Sequence, residues 1–202
     1  MSKEQNDRLI SPVVRVWFPP HLHTVRPSKN PAIPGKYGLT VVVTPETMDS
    51  QDKALWDAMV RAANGKAIER FKKPIKDFTD AMKKPWHSGR EKKDYGMTDK
   101  DVYMNCTSKF QPIIAGPDAK TIKDPLPDYI YPGCYVRIST APYTYDQDGG
   151  RGVAFGVFNV MFVRDGERLA FRVEPEDDFS DYATAGTTAT GGAALTDSDL
   201  GL

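Results

Sequence analysis

Lysine and arginine stop at Arg172. The segment 173–202 carries Glu174, Glu176, Asp177, Asp178, Asp181, Asp197 and Asp199 without a single cation, and its stretch 183–194 consists of Ala, Thr and Gly. Such a composition cannot bury enough apolar surface to offset the entropy of ordering its backbone. The sequence therefore predicts a disordered acidic tail over 173–202 and one folded domain over 1–172, long enough for a substantial core and too short for a second domain. All 27 Lys and Arg lie in 1–172 against 20 of the 27 Asp and Glu, so a body of charge +7 is tethered to a tail of −7. This is the charge layout of a polyanion binder that carries its own competitor.

Within the body, period-two alternation and β-branched content predict strands over 11–18, 38–44, 135–141 and 153–163, with a weaker one over 102–110. One helix interrupts them. Asp49 can cap it, Leu55, Trp56, Met59, Val60 and Ala63 recur at helical spacing, and Asn64-Gly65 is expected to end or break it before a basic turn over 66–71. Prolines then divide the middle of the chain, and long loops are expected over 72–95 and 111–131, where binding residues tend to sit. Five short strands with one helical insertion predict a mainly β domain, an OB-fold-like five-stranded Greek-key barrel with long loops. A two-sheet sandwich is the alternative. Cys106 and Cys134 lie in strand-like surroundings and read as buried, reduced thiols.

The basic body is patterned with rings. Between Lys66 and Lys93 stand ten cations, among them Lys72, Lys73, Lys76, Lys83, Lys84, Arg90, Lys92 and Lys93, with Phe71, Phe78 and Trp86 interleaved. Phe71 and Phe78 suit a core, whereas Trp86 lies in a polar Trp-His-Ser-Gly loop and suits a core plug and a stacking platform equally. On the first strand, alternation sets Arg15 and Trp17 opposite Val14, Val16 and Phe18, so the pair is expected to look outward. On the fourth, Val136 and Ile138 face the core while Tyr135, Arg137 and Ser139 share the other side. Asp148-Gly149-Gly150 reads as a hairpin turn, with Tyr143, Tyr145 and Arg151 beside it. Lys36 and Lys109 add cations at strand ends. Cations that neutralise phosphates and rings on which bases stack, at roughly 1–3 kcal/mol per base, suit single-stranded nucleic acid without reading its sequence.

Enzymatic readings are weaker. The segment Gly116-Pro117-Asp118-Ala119-Lys120-Thr121 lacks the glycine that precedes the lysine of a phosphate-binding loop. Asp118-Ala119-Lys120 is a poor nuclease element, Asp146 and Asp148 are better turn formers than magnesium ligands, and His21-Leu22-His23 has no third ligand nearby in sequence. No catalytic residue, metal or cofactor is expected. A metal-dependent nuclease is the third reading, after a structural or scaffold protein whose basic loops meet an acidic protein partner.

The block Tyr131-Pro132-Gly133-Cys134-Tyr135-Val136, followed by Pro142-Tyr143-Thr144-Tyr145, Gly150-Arg151-Gly152-Val153-Ala154-Phe155-Gly156, Asn159-Val160 and Val163-Arg164-Asp165-Gly166-Glu167, resembles a family of tailed-phage OB-fold single-stranded DNA-binding proteins. The resemblance implies non-specific binding of single-stranded DNA, a role in replication or recombination, and no catalysis. It also implies an address in the cytoplasm of an infected bacterial host, with which the absence of a leader or an apolar membrane run agrees. The acidic tail is then expected to compete with DNA and, through Asp197, Asp199, Leu200 and Leu202, to recruit replication or recombination proteins, with self-association on DNA left open.

Overall fold

The computed structural model describes residues 8–28, 31, 34–126, 128–147 and 150–169, so the predicted tail over 173–202, with Asp197, Asp199, Leu200 and Leu202, lies outside the described residues. Ten strands and one α-helix are assigned among them. In chain order these are β1 (Leu9–Ile10), β2 (Val14–Val16), β3 (His21–Arg26), β4 (Lys36–Val43), α1 (Ser50–Phe71), β5 (Met82–Lys83), β6 (His87–Ser88), β7 (Val102–Ser108), β8 (Ile113–Ala115), β9 (Tyr135–Gln147) and β10 (Gly150–Arg164).

Five of the strands close on themselves. β2 pairs with β4, β4 with β7, β7 with β10, β10 with β9 and β9 again with β2. All these pairings are antiparallel except β7 with β10, which is parallel. This is the predicted OB-like barrel, in which each of the five strands pairs with a neighbour on both sides. Its interior is the alternating apolar set expected from sequence: Val14, Val16, Val41, Met104, Cys106, Val136, Ile138, Phe155 and Val160 are fully buried. Each such side chain contributes about 1.5–3 kcal/mol through water exclusion. Both cysteines are buried free thiols.

Helix α1 lies between β4 and β7 in the chain and packs on β9, β10 and β1. Its buried stripe is Asp52, Trp56, Met59, Ala63 and Ala67. Asp49 caps it as expected, accepting from Asp52 N at 2.8 Å. The expected break at Asn64-Gly65 does not occur. Asn64 uses its amide to hold neighbouring turns instead, donating to Val60 O and accepting from Ile75 N, both at 3.0 Å. The helix runs on to Phe71 and stops at Lys72, whose left-handed φ of 59° lets its N–H reach Ile68 O.

The long loops are less plain than the sequence suggests. β5 and β6 lie within 72–95 and β8 within 111–131, each too short for a periodic signal. β3 takes in His21-Leu22-His23, where no strand was expected; it pairs with one side of β4, and Thr24, Val25 and Arg26 stay exposed.

Candidate nucleic-acid interface

Along part of β4, β7 and β10 the outer face carries small or polar side chains opposite a bulky inner face. On β4 and β7, Leu39 opposite Cys106 and Val41 opposite Met104 point inward, which turns Gly38, Thr40, Asn105 and Thr107 outward. Val153, Phe155 and Val157 fill the core from β10, leaving Gly152, Ala154 and Gly156 on its outer side, where Gly152 and Ala154 pair with Tyr145 and Tyr143 of β9. The low floor of the barrel wall is thus flanked by rings.

Two adjoining concavities, of about 790 and 610 Å³, share Lys36, Asn105 and Thr107. The larger is walled by Phe18, Tyr37, Tyr95 and Tyr103, with Arg26, Lys36 and Lys92 as its cations. Phe18 and Tyr95 meet edge to face at 5.2 Å, and Lys92 Nζ lies 5.3 Å from the Tyr95 ring centre. The smaller is lined by Lys36, Lys109, Arg70, Tyr143 and Tyr145. Its two tyrosine rings stand 6.4 Å apart, and burial, followed by Tyr143 alongside, raises the pKa of the Tyr145 phenol. Between the two, Thr40 donates from its hydroxyl to Asn105 Oδ1 at 2.7 Å, which fixes the amide and leaves its N–H donors to the groove.

Next to the larger concavity, Tyr103 stacks on His87 at 5.0 Å and donates to Glu91 Oε2 at 3.1 Å. Burial is the main cause holding His87 below the ordinary imidazole value, against the opposing pull of Glu91. The imidazole is therefore neutral near pH 7. Among the described residues no group of three or more His, Cys, Asp or Glu stands where it could hold a metal ion.

Of the residues singled out from sequence, Lys36, Lys92, Lys109, Tyr143 and Tyr145 come together along this groove. Trp17 does not look outward: it is 7 % exposed, and its indole N–H donates to Tyr95 O at 3.0 Å. The segment 89–95 covers a face that strand alternation alone marks as open. Phe18, assigned to the core side, lines the larger concavity instead. Arg15 donates to Gly133 O and Glu167 O, and its guanidinium lies 5.4 Å from the Trp17 ring centre and 5.9 Å from that of Tyr135. Tyr135 is covered more closely by Arg164, at 3.5 Å. Arg137 pairs with the buried Asp52 at 2.8 Å rather than standing open.

Trp86 packs beside Trp56 with ring centres 6.0 Å apart and joins the edge of the core, while Phe71 and Phe78 meet edge to face at 5.8 Å. Arg90 and Lys93 both reach Asp99, at 3.0 and 3.3 Å, and Lys72 Nζ donates to Glu69 O. Lys73, Lys76, Lys83, Lys84 and Arg151 line neither concavity. Sequence reasoning passed over Arg26, Arg70, Tyr37, Tyr95, Tyr103 and Asn105 as groove residues. The outward register of Asn105 opposite Thr40 was the available signal.

No helix among the described residues is long and apolar enough to cross a membrane. No curated protein matches the chain by sequence. Among solved structures, the single-stranded DNA-binding protein of bacteriophage Enc34 in complex with ssDNA superposes with a TM-score of 0.68 at 15% identity, over 82% of this chain and 91% of that one. A second structure of the bacteriophage Enc34 single-stranded DNA-binding protein gives 0.62 at 16% identity, over 87% and 91%. The bacteriophage T7 single-stranded DNA-binding protein gp2.5 gives 0.55 at 15% identity, over 83% and 97%. These likenesses establish the barrel fold. A family model described as the Enterobacter phage Enc34 ssDNA-binding protein matches residues 8–189, and the chain therefore belongs to that family of phage ssDNA-binding proteins.

Proposed function

We propose that this chain is a sequence-tolerant single-stranded DNA-binding protein that coats and protects unpaired DNA and destabilises helices during phage replication or recombination. The observation that carries the reading is the groove itself: a shallow barrel face edged by Phe18, Tyr95, Tyr143 and Tyr145 and studded with Arg26, Lys36, Lys92 and Lys109. Rings stack on any base, and cations neutralise phosphates whatever the sequence. Helix destabilisation then needs no catalysis, since a ligand that prefers the open strand shifts the melting equilibrium by mass action. The protein acts as a binder, not an enzyme, in the host cytoplasm.

The acidic segment 173–202 serves in this scheme as a competitor for the basic body and, once displaced, as the contact for replication or recombination proteins through Asp197, Asp199, Leu200 and Leu202. Anisotropy of a labelled oligo-dT titrated with the full chain tests the central claim. Saturable binding that weakens steeply with salt and exceeds binding to the matching duplex is expected; preference for duplex overturns it. Deleting 173–202 should tighten binding most at low salt, and unchanged affinity across a salt series would remove the competitor role alone.

A further inference from the structure

Resting on that reading, we infer that Arg70 is a phosphate-binding residue of the smaller concavity whose charge Asp146 neutralises until DNA replaces it. Arg70 stands in the last turn of α1, and Asp146 lies near the end of β9, remote in sequence. Their side chains meet across the mouth of the concavity, with Nη2 of Arg70 3.5 Å from Oδ2 of Asp146. Both line it together with Lys36, Lys109, Tyr143 and Tyr145. Neither is locked in place, since the side chains are 57% and 44% exposed. An exposed pair of this kind is held weakly.

A carboxylate and a phosphate offer a guanidinium the same pair of acceptor oxygens, and arginine suits both. A strand whose bases lie on Tyr143 and Tyr145 would bring its backbone to the side chain that Asp146 occupies. The exchange has a distinctive signature. Lys36 and Lys109 displace cations condensed on the strand when they meet phosphate, whereas Arg70 displaces one and leaves the Asp146 carboxylate to take a cation back. Arg70 thus adds affinity without adding to the salt dependence, which for single strands grows by about 0.7 in log–log slope per neutralised phosphate.

The test is a double-mutant cycle read by oligo-dT anisotropy over a salt series with the full chain. Asp146→Asn is expected to tighten binding several-fold at low salt and to steepen the slope by about 0.7, because no freed carboxylate then takes back the cation that Arg70 displaces from the strand. Arg70→Gln is expected to weaken binding with the slope unchanged. In the Arg70→Gln background, Asp146→Asn should then have little effect. Equal tightening by Asp146→Asn in both backgrounds would show that Asp146 acts through its general field on the groove and would overturn the proposal, as would a slope lowered by Arg70→Gln alone. Failure of the unaltered protein to bind oligo-dT would sink the DNA-binding reading itself; a purely additive cycle sinks only the role of Arg70.

Discussion

Arg137 Nη1 lies 2.8 Å from Asp52 Oδ1, so the fourth barrel strand is tied to the first turn of α1 through side chains that are 22% and 12% exposed. The same guanidinium nitrogen donates to Ser11 O, and Asp52 Oδ2 accepts from Val13 N at 3.1 Å. One ion pair therefore gathers the stretch before β2, the helix and β9. Removing one partner leaves the other charge unpaired and largely shielded from solvent. Arg137→Ala is expected to cost about 3 kcal/mol, seen as a lower urea midpoint. The salt slope of DNA binding should not change, and a slope reduced by the variant would return Arg137 to the groove.

Gly65 sits in the exposed part of α1, and a β-carbon built there meets nothing within 4 Å. Glycine in a helix interior is less favourable than alanine by roughly 0.5–1 kcal/mol. Gly65→Ala should raise stability by about that amount and leave binding untouched. A fall in melting temperature would mean the site is not open helix.

Rings and cations in the groove should separate by their response to salt. Tyr143→Ala and Tyr95→Ala are expected to weaken oligo-dT binding by about 1–3 kcal/mol at every salt concentration, whereas Lys36→Ala and Lys109→Ala should each flatten the slope by about 0.7. Identical slopes for the two classes would contradict the division of labour. Because Trp17 is buried and Trp86 packs on Trp56, intrinsic tryptophan emission should respond to DNA far less than tyrosine substitution affects binding.

Burial, then the bond and charge of Glu91, pushes the Tyr103 phenol up to about 12 from 10.0. Burial alone pushes the Cys106 thiol up to about 12 from 9.0. In both cases the folded chain keeps a proton that the unfolded chain gives up, so the stabilisation is complete below the unfolded value and is lost as pH rises through the folded one. Stability should therefore fall between about pH 9 and 12, with Tyr103 accounting for on the order of 2 kcal/mol of the loss above pH 10. Urea midpoints between pH 8.5 and 11.5 check this: Tyr103→Phe should flatten the decline, and a wild-type profile as flat as the variant's would contradict it. In the native state Cys106 should also resist thiol reagents at neutral pH.

The barrel was legible because its inward side chains repeat every second residue along β4, β7, β9 and β10, a signal carried by each strand alone. What covers the other face is not local. Trp17 alternates with Val16 as an outward residue should, yet a segment more than 70 positions away in the chain closes over it, and Tyr95 rather than Trp17 becomes the ring beside the groove. Arg137 illustrates the same limit, since nothing local to its strand marks Asp52, 85 positions earlier on the helix, as its partner. Asn64-Gly65 misled for a different reason: the dipeptide has a terminator's propensity, but Asn64 found partners in Val60 and Ile75, and tertiary context prevailed.

On β10, Val153, Phe155 and Val157 give their volume to the interior, and only Ala154 and Gly156 form the floor beside Tyr143, the backbone of Lys83 covering Gly152. A recess shaped by missing atoms measures thickness, and purines and pyrimidines are equally thin. On the proposed reading, indifference to the genetic text is a property of depth, and filling Ala154 with a leucine should close the slot to every letter alike.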